Sequence, residues 1–201
     1  MADWLLIRLG HDSHAEASWL VADASGRMVM PVQRGALADA AFLAPSRRVC
    51  VLVPAPDVLL TDADVPVRAG AKVREVVPYA LEEHLAEDVE SLHFAVGKRA
   101  PNAVRTPVAV VSRSLMESWF AALGEAHLTA EAVYAESDLL PVNPGQAVAV
   151  LDGDSAIVRL TGSPPVTMPI DALGEALELV RPPPAAAAAA VPEHTGSGHL
   201  L

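Results

Sequence analysis

Two short turns are the parts of this sequence whose residues could do chemistry. The first is Leu9-Gly10-His11-Asp12-Ser13-His14, and the second is Leu151-Asp152-Gly153-Asp154-Ser155. Main-chain N–H groups of such turns can bind phosphate oxygens, and a glycine allows the phosphate to approach closely. An ATPase built from two similar lobes would carry one such turn in each lobe. The first turn lacks the usual Asp-x-Gly arrangement, and the second is more typical of an Asp-Gly turn between two strands. The sequence therefore does not favour nucleotide hydrolysis.

Histidines and an aspartate in the first turn could also contribute to a metal site. His11, Asp12 and His14 lie in one loop, but polar residues grouped in a loop are more often simply solvated. His84 and His93 lack the spacing of metal ligands. We therefore expect no metal and no cofactor.

Other signatures of catalysis are missing from the sequence. No serine lies in a Gly-x-Ser-x-Gly setting, including Ser112, Ser114 and Ser137. No Walker loop or dinucleotide-binding fingerprint occurs either. The sequence thus predicts that the chain is not an enzyme.

An acidic segment is the most concentrated feature of the chain. Between Arg74 and Lys98 there is no basic residue, but there are six acidic ones: Glu75, Glu82, Glu83, Glu87, Asp88 and Glu90. Apolar residues recur there at every fourth position, which predicts one buried side of a helix; they are Val73, Val77, Leu81, Leu85 and Val89. Pro78 interrupts this pattern, so either a helix from Ala69 is kinked there or a second helix begins at Pro78. We favour the kinked helix.

The charge of this segment has two interpretations. An acidic helix face can be an ordinary solvated face, but solvated faces usually mix signs and so gain i,i+4 ion pairs. A face of one sign beside the ring of Tyr79 is better suited to an arginine-rich partner. On the predicted helix the outward-facing acids are Glu82, Glu83, Glu87 and Glu90, with Asp88 nearer the apolar edge. From composition alone, the solvated face is the favoured interpretation.

The composition limits the partners and the compartment. Of 201 residues, 25 are acidic and 14 basic, which gives a net charge of -11. Such a surface repels phosphate backbones and anionic lipids, so we expect no nucleic-acid binding and an attraction to basic proteins. The single cysteine, Cys50, lies in an apolar run and is interpreted as a buried core residue. Because the sequence has no secretory signal and no apolar stretch of about 20 residues, we expect a soluble, cytoplasmic chain.

Hydrophobic patterns and turn residues predict an α/β fold. The predicted strands are Trp4–Leu9, Trp19–Ala22, Met28–Val32, Arg48–Val53, Val58–Val65, Leu92–Val96, Val108–Val111, Ala132–Ala135, Ala147–Leu151, Ala156–Leu160 and Val166–Ile170. Besides the acidic segment, the predicted helices are Ala36–Leu43, Leu115–His127 and Asp171–Val180. For the second of these, Ser114 is the predicted N-cap, with Glu117 completing a capping box.

Three strands followed by a helix occur at the start of the chain and again after Gly145. This repeated order suggests two related lobes, the second of which stops early. After Arg181 the sequence continues with three prolines, six alanines and a Gly/Ser/His tail. Such a composition predicts a linker or disorder.

One long run makes the chain similar to a known family. It is Val76-Val77-Pro78-Tyr79-Ala80-Leu81-Glu82-Glu83-His84-Leu85-Ala86-Glu87-Asp88-Val89-Glu90-Ser91-Leu92-His93-Phe94-Ala95, preceded by Val53-Pro54-Ala55-Pro56-Asp57-Val58-Leu59-Leu60. These segments resemble protein L of the type II secretion system. The close similarity covers about 45 residues, and the remaining strand order agrees only in topology.

The resemblance implies an actin-like (RNase H-like) fold with mixed sheets that is thought not to use nucleotide. It divides the chain into a first lobe of residues 1–56 and 106–140, an inserted subdomain of residues 57–105 with the acidic helix, and the start of a second lobe at residues 145–180. Residues 181–201 are the predicted linker or disordered tail. The family's transmembrane helix and periplasmic domain are not found, so we expect a truncated or unusually short member.

The resemblance also implies a function. Protein L is a non-catalytic scaffold that holds the N-terminal domain of the secretion ATPase, protein E, at the cytoplasmic face of the inner membrane. The resemblance therefore makes the acidic segment a docking candidate, with the predicted partner-binding residues Tyr79, Glu82, Glu83, Glu87, Asp88 and Glu90. Protein M, protein F and a second copy of the chain are further partners implied by the family. Two alternatives share the fold: an active actin-like ATPase, and an actin-like scaffold of type IV pilus assembly. The Leu-Glu-Glu to His-Phe-Ala run favours protein L over the pilus-assembly scaffold, and a magnesium-ATP titration would distinguish the active ATPase.

Overall fold

The structure is a computed structural model, and it describes residues 2–11, 16–65, 72–99, 103–141, 144 and 146–180. These residues form the strands β1 (Trp4–Arg8), β2 (Ala17–Ala22), β3 (Met28–Gly35), β4 (Arg48–Val53), β5 (Leu59–Ala63), β6 (Leu92–Val96), β7 (Thr106–Ser112), β8 (Ala132–Ala135), β9 (Ala147–Asp152), β10 (Ser155–Leu160) and β11 (Val166–Pro169). The helices are α1 (Leu37–Ala41), α2 (Val73–Leu81), α3 (Arg113–Glu125) and α4 (Leu173–Val180). The predicted α/β class is confirmed, and the predicted tail lies outside the described residues.

The largest sheet has five strands in the order β3-β2-β1-β4-β8. β1, β2 and β3 form an antiparallel meander, whereas β4 is parallel to both β1 and β8. Alternate side chains of these strands enter the main core, and Leu5, Ile7 and Val51 have no exposed surface there. Because β1, β4 and β8 run in the same direction, their carboxyl ends meet at one edge of the sheet.

Helices α1 and α3 cover the main sheet. Trp119 and Leu123 of α3 and Ala40 of α1 are buried in the same core. The predicted start of α3 is wrong, because the helix begins at Arg113 and no side chain caps it. The hydroxyls of Ser112 and Ser114 lie 2.8 Å apart and bond each other, so Ser114 does not serve as the predicted N-cap.

The second sheet has three antiparallel strands in the order β5-β7-β6. Helix α2 packs on one face of it, with Val77 and Leu81 buried against Leu92, Val108 and Val110. The predicted insertion ends at residue 105, yet β7 lies in one sheet with the two strands predicted to belong to that insertion. The division into domains stays a prediction.

The third sheet contains β9, β10 and β11 in a meander followed by α4. Asp152 and Ser155 are paired across the first turn, and Gly153 between them has a φ of +56°. This left-handed conformation favours glycine, so the predicted Asp-Gly turn is confirmed. A 3-10 turn at Ile170–Ala172 precedes α4, which therefore starts two residues later than predicted.

The long acidic helix is the main prediction that is wrong. Helix α2 includes Pro78 but ends at Leu81, and a 3-10 turn follows at Glu82–His84. Leu85 is extended, with φ and ψ of -105° and 143°. Continuing the helix would stack like charges four residues apart, with no basic residue to offset them. The predicted start at Ala69 lies outside the described residues.

Candidate docking surface and cleft

The structure places all the predicted partner-binding residues at the surface. Tyr79 on α2 is 73% exposed, and the five acids that follow it are exposed as well: Glu82, Glu83, Glu87, Asp88 and Glu90. Glu75, one turn before Tyr79, is also exposed. Residues four apart on a helix share a side, so Glu75 and Tyr79 form a continuous stripe that leads to Glu83 at the following turn.

The acids do not all lie on one helix. Glu82 and Glu83 belong to the 3-10 turn that extends α2, whereas Glu87 and Glu90 lie beyond the extended residue Leu85. The exposed acids therefore form two neighbouring groups along the chain rather than one helical face. We refer to Glu75, Tyr79, Glu82, Glu83, Glu87 and Glu90 together as the acidic surface.

Asp88 differs from its acidic neighbours because its carboxylate has a local role. It caps a second 3-10 turn, Val89–Ser91, by accepting a hydrogen bond from the main-chain N–H of Glu90. The hydroxyl of Ser91 donates to the main-chain oxygen of Asp88 at 2.7 Å. Asp88 thus shapes the turn that carries Glu87 and Glu90, a role that the sequence analysis did not identify.

The apolar residues beneath the acidic surface are not all buried to the same depth. Val77 is fully buried and Leu81 is 5% exposed, while Val73, Leu85 and Val89 are partly buried. The separation of these residues from the outward acids matches the prediction, although only the first part is helical. Both acid groups therefore rest on the second sheet and its core.

The second candidate phosphate-binding turn, and the described start of the first, lie near a cluster of charged side chains. Arg8, at the end of β1, donates from Nε to Glu136 Oε2 at 2.5 Å and from Nη2 to the carboxylate of Asp152. Glu136 also accepts the main-chain N–H of Ala55 at 3.0 Å. We name Arg8, Glu136 and Asp152 the ionic cluster.

The electrostatics of the ionic cluster disfavour an anion. The hydrogen bond that Arg8 donates to Glu136, and then the one that it donates to Asp152, raise the pKa of Arg8 above its ordinary value, against the opposing effect of burial. Two carboxylates surround one guanidinium, so its charge is already balanced by the protein. The cluster itself lines part of a cavity of about 410 Å³, whose other walls are mainly apolar and include Leu139, Leu140, Val150, Leu151 and Ile157.

The first turn itself is described only in part. His11 Nδ1 lies 3.5 Å from Asp57 Oδ2, and residues Asp12–His14 lie outside the described residues. Within the part of the chain that the structure describes, no three His, Cys, Asp or Glu side chains are grouped as metal ligands.

Sequence analysis missed the ionic cluster because its members are 128 and 144 residues apart in the chain. One signal was available: Arg8 is the only charge in the otherwise apolar run Trp4–Leu9. A charge in a buried strand usually has a partner. The identity of that partner depends on how the sheets are arranged.

A wider, open cavity of about 890 Å³ lies between the second sheet, β8 and the β10–β11 turn. Its walls are mainly apolar. Arg159 at its border donates from Nη1 to the main-chain oxygens of Asp138 and Leu140, at 2.7 and 3.1 Å. This arginine therefore links the third sheet to the turn after β8.

With this geometry established, comparison with known proteins decides the family. The family model of type II secretion system protein L matches residues 5–198 of the chain. The chain belongs to the protein L family. The resemblance inferred from the Pro-Tyr-Ala-Leu-Glu-Glu run is confirmed.

Individual protein L sequences support this assignment. Type II secretion system protein L of Pectobacterium carotovorum subsp. carotovorum is 33% identical over 143 residues, which covers 68% of this chain and 33% of that protein. The protein L of Pseudomonas aeruginosa is 30% identical over 149 residues, which covers 72% of this chain and 37% of that protein. The chain thus spans about a third of the length of these curated relatives.

A solved structure is similar across most of the fold. It is the cytoplasmic domain of EpsL, an inner membrane component of the type II secretion system of Vibrio cholerae. The TM-score is 0.75 at 25% identity, and the match covers 87% of this chain and 74% of that one. Among the described residues of this protein L family member, no helix is long and apolar enough to cross a membrane.

Proposed function

We propose that this chain is a non-catalytic scaffold that holds the cytoplasmic secretion ATPase at the inner membrane for protein export. Membership of the protein L family supports the placement in the secretion system, at the cytoplasmic face of that membrane. The observation that carries the docking part is the acidic surface, an exposed group of one charge sign around an exposed aromatic ring. The partner is the N-terminal domain of the ATPase, protein E.

The chemistry of the acidic surface defines what it would bind. Tyr79 offers a large ring that loses little conformational entropy when a partner covers it. The carboxylates beside it attract a basic protein from a distance and can form bidentate bonds with arginine at close range. A partner with arginines around a small apolar recess fits both features. Because Asp88 is used inside its turn, we assign it to the support of the site rather than to direct contact.

The ionic cluster supports the non-catalytic part of the proposal. In open α/β sheets, ligands bind beyond the carboxyl ends of the parallel strands. Arg8, Glu136 and the Ala55 turn follow the carboxyl ends of β1, β8 and β4. Two carboxylates there would repel a nucleotide phosphate, and the one guanidinium is engaged by both. Titration with magnesium-ATP should therefore produce no binding heat, and saturable heat would contradict this part.

The actin-like assignment and the domain division belong to the same proposal. The repeated order of three strands and a helix, in β1–β3 with α1 and in β9–β11 with α4, supports two related lobes. The proposed insertion of residues 57–105 carries the acidic surface, and its described strands β5 and β6 pair with β7 in the second sheet. Protein M, protein F and a second copy of the chain are additional proposed partners, supported by the family alone.

A binding titration tests the docking surface. Glu83→Lys combined with Glu87→Lys should weaken the complex with the ATPase N-terminal domain by about tenfold or more at roughly 0.15 M salt. The control is Glu117→Lys with Glu125→Lys, which makes the same charge change on exposed positions of α3. Equal affinities of the two double variants would mean that net charge, and not the acidic surface, determines binding.

A further inference from the structure

Four chain segments meet at the ionic cluster. Arg8 ends β1, Glu136 follows β8, and Asp152 ends β9. The N–H of Ala55, in the turn after β4, donates to the second oxygen of Glu136. The cluster therefore joins the main sheet, which supplies Arg8, Ala55 and Glu136, to the third sheet, which supplies Asp152.

The two ion pairs of the cluster differ in exposure. The side chain of Glu136 is 12% exposed and is held through both oxygens. The side chain of Asp152 is 50% exposed. Buried, doubly bonded carboxylates hold their position, whereas exposed ion pairs contribute little and are screened by salt. The Arg8–Glu136 bond is thus an anchor inside the main unit, and the Arg8–Asp152 bond is a contact that can be broken.

Besides the ionic cluster, an apolar cluster and an arginine join the third sheet to the rest of the described structure. A small apolar cluster contains Ala55, Leu140 and Ile157, with Val148 packed against it. Arg159 adds two hydrogen bonds to the turn after β8, and its Nη1 lies 3.6 Å from Asp138 Oδ1. Interfaces of this small, mixed kind between parts of one chain usually allow relative motion.

We propose that the ionic cluster is a releasable clasp that sets the orientation of the third sheet against the main sheet. Arg8, fixed by Glu136, positions its second nitrogen to hold Asp152 at the end of β9. When the Arg8–Asp152 bond is closed, the third sheet has one orientation. When it is open, the small apolar cluster and the Arg159 bonds hold the third sheet less tightly, and a range of orientations becomes accessible. This inference concerns the fold itself and does not depend on the ATPase-docking proposal.

The test measures the distance between the two sheets in solution. The reporter protein carries Ala24→Cys in the β2–β3 turn and Ser163→Cys after β10, both at exposed positions, with buried Cys50 replaced by alanine. Spin labels at the two cysteines give a distance distribution by pulsed electron resonance. We expect a narrow distribution for this protein and a clearly broader one after Asp152→Asn.

The matched control is Asp154→Asn, which removes the same charge two residues away at an exposed position. It should leave the distribution narrow, since the N–H of Ile170 donates to the main-chain oxygen of Asp154, which the substitution keeps. Raising the salt to about 1 M should broaden the parent distribution as Asp152→Asn does. At that salt concentration the Debye length is only about 3 Å, so the attraction between the exposed charges is weakened. An unchanged distribution for Asp152→Asn would overturn the proposal, and so would equal broadening by both aspartate variants. Circular dichroism verifies that each variant keeps its fold.

Discussion

The carboxylate of Asp88 accepts a hydrogen bond from the main-chain N–H of Glu90, with 3.0 Å between the two atoms. Sequence analysis placed both residues on one helix as members of the same binding site. In the structure they are two residues of a capped 3-10 turn, and only Glu90 keeps its carboxylate free of that turn. Asp88 looks equivalent to its acidic neighbours in the sequence, but its carboxylate stabilises the turn.

Removal of the Asp88 carboxylate should destabilise the fold. Asp88→Ala leaves the N–H of Glu90 without its acceptor, and we expect the free energy of unfolding to fall by about 1 kcal/mol, as for a lost helix cap. Urea denaturation measures this difference. Glu87→Ala removes the same charge next to it and should change stability by less than about 0.5 kcal/mol. Equal effects of the two substitutions would mean that the cap bond contributes nothing.

On helix α2, different residues should determine the stability of the fold and the binding of the ATPase. Leu81 is 5% exposed and lies in the core of the second sheet, so Leu81→Ala should lower the free energy of unfolding by about 2–5 kcal/mol. Tyr79 is 73% exposed, so Tyr79→Ala should change it by less than about 0.5 kcal/mol. The same Tyr79→Ala protein should bind the ATPase N-terminal domain more weakly in a calorimetric titration. Normal binding by a stable Tyr79→Ala variant would mean that the ring of Tyr79 does not contribute to docking.

The sequence predicts most strands correctly because their patterns are local. Arg48–Val53, Leu92–Val96 and Ala132–Ala135 have the predicted bounds, since each is a short apolar or β-branched run between turn residues. The end of α2 at Leu81 was not predicted, because the fourfold apolar spacing continues through Leu85 and Val89. Leu85 still packs against the core of the second sheet, but from extended backbone, and Val89 is partly buried in a 3-10 turn.

Contacts between residues far apart in the chain could not be predicted from the sequence. A strand's apolar run does not determine which sheet it enters, so the pairing of β7 with β5 and β6 could not be derived from Thr106–Ser112. The ionic cluster could not be predicted for the same reason. The sequence indicates that the charge of Arg8 needs a partner, but it does not identify Glu136 or Asp152. The acidic surface was predictable as a set of exposed acids, whereas the separate role of Asp88 depends on one turn.

An ion pair at the other end of the main sheet should make stability depend on pH. Arg48 Nε lies 2.8 Å and 3.0 Å from the two carboxylate oxygens of Glu131, and this bond lowers the pKa of Glu131 below its ordinary value. A carboxyl with a lowered pKa stabilises the fold above its unfolded pKa, about 4.3, and loses that contribution as the pH falls through its folded pKa.

Thermal unfolding of Glu131→Gln tests this dependence. The variant should melt at a lower temperature than the parent at neutral pH, and the difference should shrink as the pH falls below about 4. Glu117→Gln, an exposed position on α3, controls for the loss of one negative charge. A melting difference for Glu131→Gln that stays constant across this range would contradict a role for the ionised carboxylate.

Cys50 should be unreactive in the folded protein. It lies in β4 with 6% of its surface exposed, as the sequence predicted, and burial raises the pKa of its thiol. The thiolate is the reactive form, so at about pH 8 a disulfide reagent should modify the folded chain very slowly and the denatured chain rapidly. The variant Ala24→Cys adds a thiol at an exposed turn position and should consume one equivalent quickly while Cys50 stays protected. Rapid modification of the folded parent would mean that β4 opens to solvent far more often than a central strand of the main sheet should.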